Sequence, residues 1–507
     1  MYPNSMQKDV FVQKRDGMTR SHIAAYSLGH LPNDLTVTMW IFYFTVYSEN
    51  VVGLDSSVVA IAVLLGQIAD GLMTPIVGVY SDSINTRWGK RKPWYFGGAV
   101  VVIASFVGMF ASPSFIVKHD RTKEEWEKAR ENGEDMTLQN WWFIIIPALY
   151  NFGWAAVQIA HMSIVNQLSN SNRMRDKLSS YRNGFIYGSN MLVLGTATYM
   201  FYSIDGEKLQ YRYICYVATA LSIAAAVFYI IKIDEVKLSA EAKRLEEEYQ
   251  NNLLGQNTVE LMGTNQVNES TELTMEKSDK EKDEEESVKG HWSDWLKQPI
   301  FYIFGTVYTM ARMALNITLA MQPFYLQTVL KFEAAEGKTT PIELGLVPLT
   351  SCMMSLFFSL FVMQKVTRWL KNRFLPMVLA IFIVSIASLP LAFLGESWRN
   401  LVYPLIGMQG IAIAILLNTS TAMISDVIGK DSENSAFVYG TYSLFEKIAN
   451  GIILYFLIEE LKEEAAVLKF VMAGIPLICS CIASLMTYIG AKKYSHKLAK
   501  ITGIAPS

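Results

Sequence analysis

Twelve apolar stretches, set as two groups of six around a long polar interruption, predict an all-α membrane protein of twelve transmembrane helices in two six-helix bundles. Two further observations support that class. Only 18% of the 507 residues are charged while 51% are apolar, against about 25% charged in a soluble domain. A short loop sequence also recurs at the same place in each half: Thr86-Arg-Trp-Gly-Lys-Arg-Lys92 follows the second stretch, and Thr367-Arg-Trp-Leu-Lys-Asn-Arg373 the eighth. Such an echo fits two halves related by an axis along the membrane normal.

Residues 1–20 are polar and carry Lys8, Lys14, Arg15 and Arg20. They lack the apolar core and cleavage site of a signal peptide, so the first span is expected to be its own anchor. A bilayer core needs about 20 apolar residues in helical form. Spans of that kind begin near Ser21, Ser56, Trp94, Trp141, Ser179 and Tyr211, giving a first bundle over 21–232. They resume near Pro299, Leu344, Phe374, Leu401, Ala436 and Ala466, giving a second over 292–490, with a tail over 491–507. Pro32 and Pro323 interrupt the first and seventh spans. Residues 233–291, with the run Lys280 to Glu286, are too polar to offset their ordering entropy by burial, so this linker is expected to be disordered. Trp292, Trp295 and Leu296 then suit an interfacial helix.

Loop charges set the orientation. Arg87, Lys90, Arg91 and Lys92, then Arg173, Arg175 and Lys177, then Lys365, Arg368, Lys371 and Arg373 fall on one side, as do the tail lysines. The opposite side is poor in bases (48–55) or acidic (Glu459, Glu460, Glu463, Glu464). The positive-inside rule therefore puts both termini in the cytosol. Residues 118–135 carry both signs with acids in excess, and are expected to form a small extra-cytosolic excursion.

A net charge of −2 gives no reason to expect nucleic acid as a partner. All four cysteines lie in apolar runs, and no Cys/His cluster has ligand spacing, so no disulfide, metal or cofactor is expected. No nucleophile–base set or phosphate loop suggests an enzyme.

Ionisable groups inside spans are costly and mark cavities or partners. The first span carries His30, Asn33 and Asp34; the second Gln67, Asp70 and Thr74; the fourth Asn151, Gln158 and His161. Arg182 lies near the start of the fifth, where it either lines a passage or snorkels to headgroups. His161 equally suits the headgroup end of its span. Tyr308, Arg312 and Asn316 recur every four residues on the seventh span and so share a face. The eleventh holds Tyr439, Tyr442, Glu446, Lys447 and Asn450. Gln67, Asn151 and Asn316 also suit interhelical hydrogen bonding. Asp34, Asp70, Arg312 and Lys447 are the charges hardest to explain without a solute. Acids in the first half and bases in the second suit a zwitterion held between the bundles.

The loop Asp82-Ser-Ile-Asn-Thr-Arg87-Trp-Gly89-Lys90-Arg91-Lys92 resembles the signature between the second and third helices of the major facilitator superfamily. That resemblance implies a conformational latch of Asp82, Arg87, Gly89, Lys90 and Arg91. Physically, an acid can meet a helix N-terminus and Gly89 permits a tight turn. Asp70-Gly-Leu-Met-Thr74-Pro75, Asn33-Asp34 and Phe445-Glu446-Lys447 are similar to the glycoside–pentoside–hexuronide symporters of that superfamily. By matching, Asp34, Asp70, Arg182 and Lys447 fall where those symporters hold substrate or cation. The chain departs from them at Thr74, where they have a second acid, and at Gln158 and Met162, where they have an Asp and a Trp. These losses argue against sodium–sugar symport. Gly66-Gln67-Ile-Ala-Asp70-Gly71, Phe152-Gly-Trp154, Trp292-Ser-Asp-Trp295 and Ser435-Ala-Phe-Val-Tyr439 resemble a lysosomal and melanosomal branch, over nearly the whole chain. That branch implies cysteine import into the organelle, and Arg312 and Asn316 are shared with it.

Three functions follow. The first is an alternating-access carrier of a small amino acid, with a co-transported proton through Asp34, Asp70, His30 or Glu446 as an option, acting as a monomer in the bilayer. The second is a cation-coupled sugar or lysolipid symporter. The third is a transporter-shaped sensor or scaffold recruiting partners through 233–291.

Overall fold

The computed structural model describes residues 17–117, 121, 123–169, 172–263, 292–335, 339–370, 374–428, 435–461 and 464–502. All regular structure among them is helical. The first half holds α1 (Arg20–Leu28), α2 (Leu31–Val46), α3 (Ser56–Ser83), α4 (Lys92–Phe110), α5 (Lys123–Glu131), α6 (Thr137–Leu168), α7 (Asn172–Ser203) and α8 (Glu207–Lys232), followed by α9 (Glu235–Gly263). The second half holds α10 (Pro299–Phe324), α11 (Glu343–Phe357), α12 (Met363–Leu370), α13 (Phe374–Phe393), α14 (Val402–Ile428), α15 (Ser435–Phe456) and α16 (Ala465–Thr502).

Nine helices among the described residues are long and apolar enough to cross a membrane. Three further rods run with them: α1 with α2, α7, and α15. These three carry His30 and Asp34, Arg182, and Glu446 with Lys447.

Each half is tied together by the same kind of packing. α6 lies against both α3 and α4, and α14 against both α11 and α13. Between halves, α3 packs on α15 and α7 on α11, while α2 meets α10. The second rod of each half thus contacts the fifth of the other, as a two-fold axis requires. At the end where α3 begins, the halves are joined by hydrogen bonds. Ser57 donates to Glu459 at 3.1 Å, Tyr43 to the Leu344 carbonyl at 3.2 Å and Thr340 to Gln210 at 2.5 Å.

Local chemistry sets the breaks. Thr19 caps α1 by accepting from the His22 N–H at 3.3 Å. α1 stops at Gly29 and α2 starts at Leu31, so Pro32 stands in the first turn of α2, where it has no amide to lose. Pro323 sits near the end of α10, which widens into a π-type turn over Tyr325–Val329. α5 is pinned by Trp126, whose Nε1 donates to the Val51 carbonyl at 3.2 Å.

Two expectations are corrected. Residues 235–263 form α9 rather than a disordered linker, because Glu235, Leu238 and Ala242 bury one face and the rest is rich in Glu, Lys and Leu. The Lys280 to Glu286 run lies outside the described residues. Residues Trp292–Lys297 make a short 3₁₀ turn, and Trp295 is buried against Phe301 in the second half rather than lying at an interface.

Candidate functional site

Three polar clusters organise the molecule around its first-half helices. The first sits at the break between α1 and α2. Ending α1 frees carbonyls that must be satisfied. His161 of α6 donates through Nε2 to the Tyr26 carbonyl at 2.8 Å, and Tyr95 of α4 donates to the Gly29 carbonyl at 2.6 Å. Gly29 has to be small here, since a Cβ would lie 2.4 Å from Tyr229 and 2.8 Å from His161. His161 is therefore fully buried and stacked on Tyr26, not at a headgroup end. Beyond the break, His30 Nδ1 and Asp34 Oδ1 are 2.8 Å apart, one turn apart on the same face. Arg182 of α7 does not snorkel: its Nη2 lies 3.1 Å from His30 Nε2 and 3.3 Å from Nδ1.

The second cluster joins the halves. Lys447 Nζ of α15 lies 2.5 Å from Asp70 Oδ2 of α3, with the two side chains 15% and 2% exposed. The same ammonium stands 4.8 Å over the Trp154 ring of α6. Trp154 is itself held by its carbonyl, which accepts from Asn33 at 2.8 Å. Neighbouring Glu446 accepts from Asn316 at 2.8 Å and from Asn450 at 2.6 Å. Arg312 lies 5.4 Å from the centre of the Tyr308 ring. Several buried atoms here make no hydrogen bond: Asp70 Oδ1, Arg312 Nε and Trp154 Nε1. Buried polar groups are ordinarily paired, so these mark where a polar solute would be welcome.

The remaining expected residues sit near this axis. Gln158 is half-buried one turn from Trp154, on the face that also carries His161. Tyr439 is partly exposed near the start of α15. Asn316 does bridge helices, through Glu446, whereas Asn151 turns back to the Pro147 carbonyl of its own helix at 2.9 Å. Thr74 likewise donates to the Asp70 carbonyl of its own helix at 3.0 Å.

The third cluster is the loop between α3 and α4. Gly89 has φ +104°, which favours glycine, and its backbone pairs with Thr86 in both directions at 3.0 and 3.1 Å. Lys90, Arg91 and Lys92 then point their amides at one carboxylate, that of Glu235 at the start of α9. The distances are 2.8 Å from Lys90, 3.0 Å from Arg91 and 2.8 Å from Lys92. This is an acid, Glu235, on a helix N-terminus. The side chain of Asp82 lies outside the described residues. Arg91 is buried with its guanidinium on Ser81, and Arg87 is exposed beside Trp88. Burial alone would raise the neighbouring Asp234 carboxyl. The Lys237 amide and ammonium, with the Lys92 charge, hold it below the usual range.

Glu235 and Trp154 are the site residues that sequence reasoning did not single out. Glu235 follows an apolar span directly and looked like the first residue of a polar linker.

Comparison with known proteins agrees with the fold. A family model described as MFS/sugar transport protein matches residues 25–259. The major facilitator superfamily domain-containing protein 12 of Mus musculus is 29% identical over 435 residues, spanning 84% of this chain and 82% of the relative. Its Homo sapiens counterpart is 28% identical over 432 residues with the same coverage. Among solved structures, a D-xylose–proton symporter superposes with a TM-score of 0.62 at 14% identity, covering 93% of this chain and 97% of that one. The inward-open xylose transporter XylE of E. coli gives 0.60 at 14% identity, covering 92% and 94%. The architecture is the major facilitator fold.

Proposed function

We propose that this chain, a membrane transporter of the major facilitator superfamily, is an alternating-access carrier for a small zwitterionic amino acid, with cysteine as its cargo. The observation that carries the reading is the Asp70–Lys447 pair. It joins one half to the other at mid-span, and it leaves one carboxylate oxygen buried without a partner. A buried ion pair rarely repays its desolvation, so a pair retained here serves something other than stability. An amino acid's ammonium matches Asp70, and its carboxylate matches Lys447 and Arg312. Trp154 and Tyr308 flank those two cations.

The losses at Thr74, Gln158 and Met162 support an amino acid over a sugar, since the groups those symporters use for cation and sugar are replaced. The motifs that resemble the lysosomal and melanosomal branch support cysteine and a lysosome-related membrane, and the Lys and Arg of the loops support cytosolic termini.

Proteoliposomes preloaded with unlabelled cysteine, serine, glucose or lysophosphatidylcholine test this by counterflow of the labelled compound. Labelled cysteine should exchange, and Lys447→Gln should abolish the exchange. Exchange of glucose or lysolipid without cysteine would replace the reading, and exchange of nothing would favour the scaffold alternative.

A further inference from the structure

Both halves end their first rod in the same way. α2 closes in a π-type turn over Tyr47–Val51, and α10 in one over Tyr325–Val329. In the first, the Val52 and Leu54 amides donate to the Tyr47 and Ser48 carbonyls at 3.0 and 2.9 Å. In the second, the Leu330 and Phe332 amides donate to the Tyr325 and Leu326 carbonyls at 3.2 and 3.1 Å. Tyr47 donates to the Phe110 carbonyl at 3.4 Å and Tyr325 to that of Leu391 at 2.7 Å, each near the end of its half's third rod. Each turn then passes through a positive φ, +76° at Gly53 and +50° at Lys331.

Each turn is also held from outside, by the connection that follows the third rod. In the first half Trp126 of α5 is 2% exposed and donates to the Val51 carbonyl at 3.2 Å. Its ring covers Gly53 so closely that no Cβ would fit there. Arg130, one turn further along α5, lies 3.8 Å from Asp55. In the second half Arg399, from the 3₁₀ turn Glu396–Leu401, donates to the Lys331 carbonyl at 3.1 Å and stands 4.9 Å over the Phe332 ring. Among the described residues, Lys331 is the only one other than glycine with a positive φ. Such strain persists only where the surroundings over-determine the backbone, and Arg399 supplies that constraint.

The two turns lead to the residues that close the halves. Asp55 caps α3 by accepting from the Ser57 amide at 3.0 Å, and the Ser57 hydroxyl reaches Glu459 of the second half. Beyond Lys331, Thr340 meets Gln210 and the Leu344 carbonyl accepts from Tyr43. Gly345 there lies on α7 of the first half, where a Cβ would come within 3.0 Å of the Thr198 backbone. A turn already in shape loses little freedom when the halves meet, whereas a free one would have to be ordered first. We propose that Trp126 and Arg399 are positioning residues of one gate: each straps a turn of its own half, so that the start of α3 or α11 is presented to the other half and that end of the passage is held closed. The inference names a device outside the cargo site, and it rests on the carrier reading only in that the halves must part.

The test measures distances between spin labels on ketone side chains in the full-length protein. Labels at Ser203 and Ala466, both exposed, span the halves at the end where α3 begins, away from the straps; labels at Asn85 and Lys365 span the other end. Without cargo, Trp126→Ala and Arg399→Gln should each raise the ratio of long to short Ser203–Ala466 distances about tenfold, which is what one hydrogen bond can supply. The Asn85–Lys365 distance should shorten in the same samples. Should Trp126→Ala fail to fold, Trp126→Phe takes its place, since it keeps a ring over Gly53 and loses only the bond to Val51. A lowered melting temperature with both distances unchanged would make the straps merely structural and overturn the proposal, and a shift in one variant alone would overturn the paired gate. Adding cysteine to the wild type separates this from the carrier reading. Distances that move with cysteine but not with the variants overturn the straps and leave the carrier; distances that move with the variants but not with cysteine uphold the straps and remove the cargo reading.

Discussion

Lys447 and Asp70 show what a sequence says about a charge and what it withholds. Both stand out because a charged residue inside an apolar run is rare enough to demand a reason. Their pairing does not stand out, because the rotation of α3 and α15 about their axes is set by packing between distant segments. The same limit applies to Arg182, whose position near a span end fits a snorkelling side chain equally well until α2 is placed beside it. His161 is similar: only the break at Gly29 gives its Nε2 a carbonyl to satisfy. From the pair itself, Lys447→Ala is expected to strand a buried carboxylate and to lower stability by about 3–5 kcal/mol, in the range seen when one partner of a buried pair is removed. The double variant Asp70→Asn with Lys447→Gln should recover much of that loss in a thermal melt while remaining inactive in transport. A double variant as unstable as Lys447→Ala would mean the two groups do not act on each other. Arg312→Gln should chiefly raise the KM for cargo, because its Nε is buried with no hydrogen-bond partner in the protein and is left for a solute.

At the scale of the element, α9 was the least legible part of the chain. Its composition is that of a disordered linker, and average polarity hides three anchoring positions. Glu235, Leu238 and Ala242 lie on one face, and the first of them binds three amides at the start of α4. Turn chemistry in the α3–α4 loop was readable, since Gly89 adopts the backbone conformation its place in the motif demanded. Its partner was not, because no local pattern points from residue 89 to residue 235. Gly89→Ala is expected to cost about 1–3 kcal/mol from the unfavourable φ alone, and more because the new Cβ would lie 2.3 Å from the Glu235 carboxylate. Glu235→Ala should leave the three amides unpaired and free α9, which limited proteolysis would report as faster cleavage within 235–263. Cleavage at the wild-type rate would show that the carboxylate does not hold the helix.

For the whole molecule, two halves were legible from the repeated loop and from the six-and-six spacing of apolar runs. Which helices would meet across the middle was not, although the symmetry of the answer, α3 with α15 and α7 with α11, is what two related bundles imply. Hydrogen bonds close the halves at the end where α3 begins, so the proposed carrier cycle requires that end to part while the other comes together. The most direct measurement places spin labels on both ends of one protein, attached through ketone side chains so that a thiol cargo does not strip them. Labels at Asn85 and Lys365 report the α3–α4 loop end, and labels at Ser114 and Ser397 report the opposite end; all four positions are exposed. On adding the amino acid that exchanges, the first distance should shorten as the second lengthens. Two distances that stay fixed, or that change in the same direction, would contradict a passage opened alternately between the halves.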